Sequence, residues 1–227
     1  VLKTLPETTN VENKNQIKYA AIPETNSSKV SSKNVIKKQK SPNVLFASGQ
    51  YGQAIELINT NLKSNIDNHK LIFLKGRSQL MLNQYEKAAS TFLDALAIKM
   101  DSDYLNGLGY AYSKLKQPNK ALAAYNKAIL INNKNSYAYF NSGLLLEKKG
   151  NKKRAADYFY SAGTSSLLNK DFLKANNAHD ALQRLSKGES VILEKSDKLG
   201  SLIKELTDDK DNDFKIIKVN TKGDKNG

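Results

Sequence analysis

The stretch GRSQLMLNQYEKAASTFLDA, residues 76–95, sets Gly76, Ala88, Phe92 and Ala95 at separations of 12, 4 and 3. The same separations return in Gly109, Ala121, Tyr125 and Ala128, and again in Gly143, Ala155, Phe159 and Ala162. The step from Gly76 to Gly109 is shorter by one than the step from Gly109 to Gly143, so the sets form a tandem repeat of nearly constant length. The single missing residue falls between Ala95 and Gly109, in the loop between units, where a deletion costs least. Each spacing has a packing reason. A Gly on a first helix and an Ala on a second let two antiparallel helices approach closely. The aromatic four residues after that Ala shares its helix face and fills the space beside the contact. The last Ala leaves room for the next unit's first helix. Short turns are expected between the paired helices, at Asn83–Glu86, Lys116–Asn119 and Lys149–Lys152. One hairpin cannot bury its face alone, so such units stack into a superhelix.

This pattern resembles the tetratricopeptide-repeat (TPR) family, whose helix–turn–helix unit runs to about 34 residues. Gly76, Gly109 and Gly143 match that unit's first small position, and the two Ala series match the other two. Phe92, Tyr125 and Phe159 match its aromatic. Departures are few. The position often held by Trp is Ile72, Leu105 and Tyr139, all still large and apolar. The usual Tyr is kept only as Tyr112, with Gln79 and Leu146 in the other units, and the repeat-end proline is replaced by Met100, Asn133 and Leu167. The resemblance covers Asn43 to Leu168 closely and continues more loosely to Leu206. It implies an all-α fold, a right-handed solenoid of helix–turn–helix repeats with flexible polar termini.

The chain divides accordingly. Residues 1–43 are rich in Lys, Asn, Ser and Thr and keep no period, so they read as a disordered linker. Residues 44–68 form a partial repeat, with Ala54 lying one full repeat step before Ala88. Pro42 falls where its first helix runs and is expected to cut that helix to about two turns. Residues 69–168 hold the three full repeats. Beyond them the register fails, because the next small positions are Asn177 and Glu189. Two amphipathic helices, Asp171–Ser186 and Glu189–Leu206, instead read as a C-terminal cap over 169–206. Residues 207–227 are a polar tail holding one β-prone island, Phe214–Val219. That island reads either as a strand for a partner's sheet edge or as solvated tail.

Composition narrows the function. The chain has no Cys, which excludes disulfides and thiolate chemistry in these residues. Its only histidines, His69 and His179, have no metal-like neighbours in sequence, and no P-loop or nucleophile-elbow motif is present. The expectation is a protein that is not an enzyme and needs no cofactor or metal. No run approaches the length of a membrane span. Formal charge is +14, with 19 basic against 10 acidic residues in the segment 45–186. Only Arg77, Arg154 and Arg184 are Arg, which weakens any reading of sequence-specific nucleic-acid recognition.

In TPR-like proteins the first helix of each hairpin lines a concave groove. The resemblance places Lys70, Phe73, Arg77 and Leu80 there in the first unit. Asp103, Asn106, Tyr110 and Ser113 follow in the second, and Tyr137, Phe140, Leu144 and Glu147 in the third. Lys70, Phe73, Arg77, Asn106, Tyr110, Tyr137, Phe140 and Leu144 are the candidate partner-binding residues. Aromatics among a few polar groups suit capture of a peptide or helical segment of another protein. The chaperone-tail clamp of co-chaperone relatives is not expected, since its positions read Phe73, Arg77, Gly107, Tyr137 and Asn141. The expected role is a scaffold or adaptor, as an assembly factor of a bacterial envelope, pilus or secretion complex. The expected localisation is periplasmic or membrane-tethered, with an anchor preceding Val1; the cytoplasm is the alternative. The alternative functions are a basic nucleic-acid-binding repeat and a self-associating structural component.

Overall fold

The structure is a computed structural model that describes residues 41–208. Of the linker expected over 1–43 and the tail expected over 207–227, residues 1–40 and 209–227, with the Phe214–Val219 island, lie outside the described residues, whereas Pro42 and Asn43 already belong to the first helix and Thr207 and Asp208 still belong to the last. Among the described residues ten helices run in order: α1 (Pro42–Ala47), α2 (Tyr51–Leu62), α3 (His69–Met81), α4 (Tyr85–Ile98), α5 (Ser102–Lys114), α6 (Pro118–Ile131), α7 (Ser136–Lys148), α8 (Lys152–Leu168), α9 (Phe172–Leu185) and α10 (Ser190–Asp208). Each odd-numbered helix pairs with the next even one, and α3, α5 and α7 also touch one another in sequence. Neighbouring hairpins therefore stack, and the stack is an all-α solenoid.

Local chemistry fixes the helix ends. Asn68, Asp101, Asn135 and Asp171 each accept a hydrogen bond from a first-turn amide of α3, α5, α7 and α9. These side chains satisfy donors that a helix leaves unpaired at its start. Inside each hairpin the chain turns through one left-handed residue: Gly49, Asn83, Lys116, Gly150 or Gly188. After the first four of these, the following amide reaches back to the preceding helix, as Gln84 does to the Gln79 carbonyl at 2.8 Å. This is a Schellman-type stop, which pairs the carbonyls a helix leaves free at its end. The turns end one or two residues earlier than the sequence reading places them. Tyr85, Pro118 and Lys152 are already helical, and Pro118 sits at the first helical position, where its fixed φ is an asset. Pro42 does the same for α1, which is six residues long behind the Ser41 cap.

The small residues work more directly than expected. It is the aromatic ring, rather than the facing Ala, that occupies the space over each Gly. A Cβ at Gly76 would lie 2.7 Å from the Phe92 ring, one at Gly109 2.5 Å from Tyr125, and one at Gly143 2.7 Å from Phe159. Gly107, which the repeat register does not explain, also lies against Phe92, where a Cβ would come within 2.7 Å of the ring. Phe92 thus meets glycines from two successive units. Ala95 packs with Ile72 and Tyr104, and Ala128 with Leu105 and Ala138, so each closes the seam to the next hairpin.

The end of the stack follows a different rule. Helix α8 has 17 residues where α4 and α6 have 14. Its link to α9 turns through left-handed Lys170, with the Asp171 amide bonded to the Ser166 carbonyl at 2.9 Å. A link between hairpins is here built like a turn within one. The added length moves the last hairpin out of the step that spaces the others, so Asn177 and Glu189 are not its packing positions. Instead His179 of α9 faces Gly200 of α10, where a Cβ would meet the imidazole at 2.8 Å. The small and large partners have exchanged helices. Leu199 likewise presses on Gly163 of α8, and Ile192, Leu199, Ile203 and Leu206 join Phe159 and Leu182 in the largest apolar cluster.

Candidate partner-binding face

Helices α3, α5 and α7 present one face on which the sequence-derived residues gather unevenly. Near its start the Phe73 ring stacks on Tyr104 with centroids 4.5 Å apart and touches Phe92 at 5.8 Å. The Arg77 guanidinium lies 4.5 Å from the Phe46 centroid and 5.8 Å from that of Phe73. Arg77 thereby bridges the partial repeat to the first full one. Lys70 stands exposed one turn before. Phe73 and Arg77 are half-buried, so each keeps a side toward solvent.

In the second unit the expectation needs correction at one position. Asn106 is 4% exposed, and its side-chain oxygen accepts from the Asn141 amide at 2.9 Å. It is a strut between α5 and α7 beneath the face and offers a partner almost no surface. Leu80 is buried in the same way. Tyr110 is half-exposed, with the Lys114 ammonium 5.2 Å from its ring centroid. Asp103 accepts from the Asn135 amide at 3.0 Å. Desolvation and the neighbouring Asp101 carboxylate raise its pKa, against the Asn135 bond and the Arg77 charge.

The third unit supplies Tyr137, Phe140 and Leu144, all half-buried. Phe140 lies 5.2 Å from Phe159, and Leu144 packs against the terminal cluster. Tyr137 is covered by the Lys174 ammonium at 4.4 Å, and Lys174 is itself paired with Asp171. Burial pulls the Lys174 pKa down, yet the bond to Asp171 and the contact with Tyr137 prevail and raise it. Glu147 receives a two-pronged contact from Arg184, at 3.1 and 2.7 Å.

Those two contacts reveal residues the sequence reading missed. Lys174 and Arg184 belong to α9, and each follows its partner, Tyr137 or Glu147, by more than one repeat step. Helix α9 therefore extends the face by a fourth helix. Exposed Asn177 and Asp180 lie between Lys174 and Arg184. Counting forward by the constant repeat step cannot find these positions. The available signal was the Asx cap series, which restarts the count at Asp171. Neither histidine gathers a site. His69 Nδ1 lies 2.6 Å from the Tyr104 hydroxyl, and His179 packs on Gly200. Among the described residues no group of three or more His, Cys, Asp or Glu is placed to hold a metal ion. Nor is any described helix long and apolar enough to cross a membrane.

A solenoid of capped hairpins with a mixed aromatic and charged face defines a class, the helical-repeat proteins. Family models described as tetratricopeptide repeat match residues 43–103 and 102–135. The chain is 28% identical over 109 residues to a TPR repeat-containing protein of Methanocaldococcus jannaschii, covering 48% of this chain and 19% of that protein. It is 32% identical over 81 residues to the human protein O-mannosyl-transferase TMTC3, covering 35% of this chain and 9% of that one. The chain thus spans under a fifth of the curated relatives it matches. The crystal structure of MamA superposes with a TM-score of 0.54 at 15% identity, over 72% of this chain and 96% of MamA, a likeness of fold. Residues 43–135 are thus matched as tetratricopeptide repeats.

Proposed function

We propose that this protein is a non-catalytic adaptor that grips an extended or helical segment of another protein along the face of α3, α5, α7 and α9. One observation carries the reading: each full repeat leaves a half-exposed aromatic on that face, beside cationic side chains already seated on rings. Aromatic and guanidinium groups with one covered and one open side are the groups that dominate peptide capture. Lys70, Phe73, Arg77, Tyr110, Tyr137, Phe140 and Leu144 make the contact surface, and Asn106 serves it from below. Helices α9 and α10 cap the stack while lengthening the face. The wider role, assembly of a bacterial envelope, pilus or secretion complex from a periplasmic or membrane-tethered position, rests on the family resemblance. The transferase named for the human relative is that protein's activity.

The test is affinity capture of partners by the native chain and by Lys70→Glu/Tyr110→Ala/Tyr137→Ala. These positions are chosen because Phe73 and Phe140 also hold the core through their ring contacts. Partners retained by the native chain and lost by the folded variant support the face. Equal retention by both sinks it.

A further inference from the structure

The net charge of the repeats is concentrated rather than spread. The α5–α6 turn carries Lys114, Lys116 and Lys120, and the α7–α8 turn carries Lys148, Lys149, Lys152, Lys153 and Arg154, all exposed. Against these eight cations residues 112–120 and 147–154 hold one acid, Glu147, which Arg184 already engages. The two turns are therefore +7 of the +9 carried by residues 45–186. They adjoin, since Lys149 Nζ donates to Asn119 Oδ1 at 3.0 Å. Between the α7–α8 turn and Glu189 lies a shallow open depression lined by Lys149, Gly150, Asn151, Lys152 and Lys153. All turns within hairpins fall on one edge of a solenoid, away from the face proposed for the peptide.

We propose that this edge docks on an anionic phospholipid bilayer. Three features select that partner. The cations are Lys with a single Arg, point charges suited to a diffuse layer of head-group phosphates rather than to forked recognition. The ring within these turns, Tyr112, packs against Ala121, Tyr125 and Leu145 and has the Lys120 ammonium 5.5 Å from its centroid, which makes it a poor platform for a stacking nucleic-acid base. Exposed aliphatics flank the basic stretch on the same edge: Met81 and Leu82 at the α3–α4 turn, and Val191 at 60% exposure just past the α9–α10 turn. Lysines bordered by aliphatic side chains are the composition of an interfacial membrane contact, in which charge attracts and apolar groups enter the head-group layer.

The experiment is co-sedimentation of the full chain with phosphatidylcholine vesicles, with or without phosphatidylglycerol. Lys148→Glu/Lys149→Glu/Lys152→Glu/Lys153→Glu is compared with Lys63→Glu/Lys127→Glu/Lys134→Glu/Lys204→Glu, an equal charge change at exposed positions off the edge. Binding is expected only to anionic vesicles, weakened by salt, and reduced at least about tenfold by the first variant but far less by the second. Met81→Ser/Leu82→Ser is expected to weaken it with charge unchanged. Equal losses in the two charge variants would overturn the proposal, because net charge or the termini would then carry the binding. Binding to duplex DNA without binding to vesicles would overturn it in favour of a nucleic-acid surface. Circular dichroism of each variant separates lost binding from lost fold.

Discussion

At Gly109 a Cβ would stand 2.5 Å from the Tyr125 ring, and Tyr125 is only 1% exposed, so the ring has nowhere to retreat. Gly109→Leu is expected to cost about 3 kcal/mol by overpacking, read as a lower urea midpoint. Pairing Gly109→Ala with Tyr125→Leu should recover part of what Gly109→Ala alone loses, because the shorter side chain vacates the contact. Tyr104 supports a second prediction. Burial first, and then the Asp101 and Asp103 carboxylates, push its pKa from 10.0 up to about 12. The neutral phenol is thus favoured in the fold. Its contribution is fully present below the unfolded value near 10 and is lost as pH rises through about 12. Stability measured across that window should fall, and Tyr104→Phe should flatten the fall. An unchanged slope in that variant would remove Tyr104 as the cause.

The terminal hairpin is where an element departs from the repeat. In the three full units the small residue is on the first helix and the ring on the second; in α9–α10 the ring is His179 and the small residue Gly200. Gly200→Leu is therefore expected to unseat α10, at about 1–3 kcal/mol. Combining it with His179→Gly should restore α10 by giving the hairpin the polarity of its neighbours. Failure of the double variant to regain helicity and melting temperature would show that the exchange of partners is not what holds α10. Here the sequence was only half legible. Both helices could be found from their apolar faces, and the loss of register was visible at Asn177 and Glu189. The reason for the loss is the extra length of α8, and nothing in the local pattern of Ser165, Ser166 and Leu167 marks where a helix that packs on both sides will stop.

Across the whole stack, stability should be graded. Hairpins in a solenoid touch mainly their neighbours, so opening proceeds from the weaker end. Helix α1 buries only Leu45, and α2 only Ala54 and Ile58, whereas α7 to α10 share the largest cluster. Hydrogen exchange is expected to be fastest in α1 and α2 and slowest in α7 to α9; uniform protection would mean one cooperative unit instead of a chain of coupled hairpins. Because Arg77 reaches back to Phe46, a partner seated on that part of the face should also slow exchange in α1.

The sequence by itself determined the hairpin, its period and its stacking, because Gly, Ala and aromatic residues at fixed separations admit one close-packed answer. The resemblance to the repeat family then implied which helices line the face, and helical periodicity gave the residues that share a side of each. What only the tertiary structure decided is which of those residues remain open to solvent. Asn106 and Leu80 have the register of the face, but Asn141 and the packing beneath them take up their surface. Lys174 and Arg184 lack the register and complete the face all the same, because α8 runs longer and carries α9 into place. The same holds for charge. Composition supplies the excess of Lys, and the antiparallel folding of each hairpin gathers it on one edge, since only folding brings together turns that lie a full repeat apart in the chain.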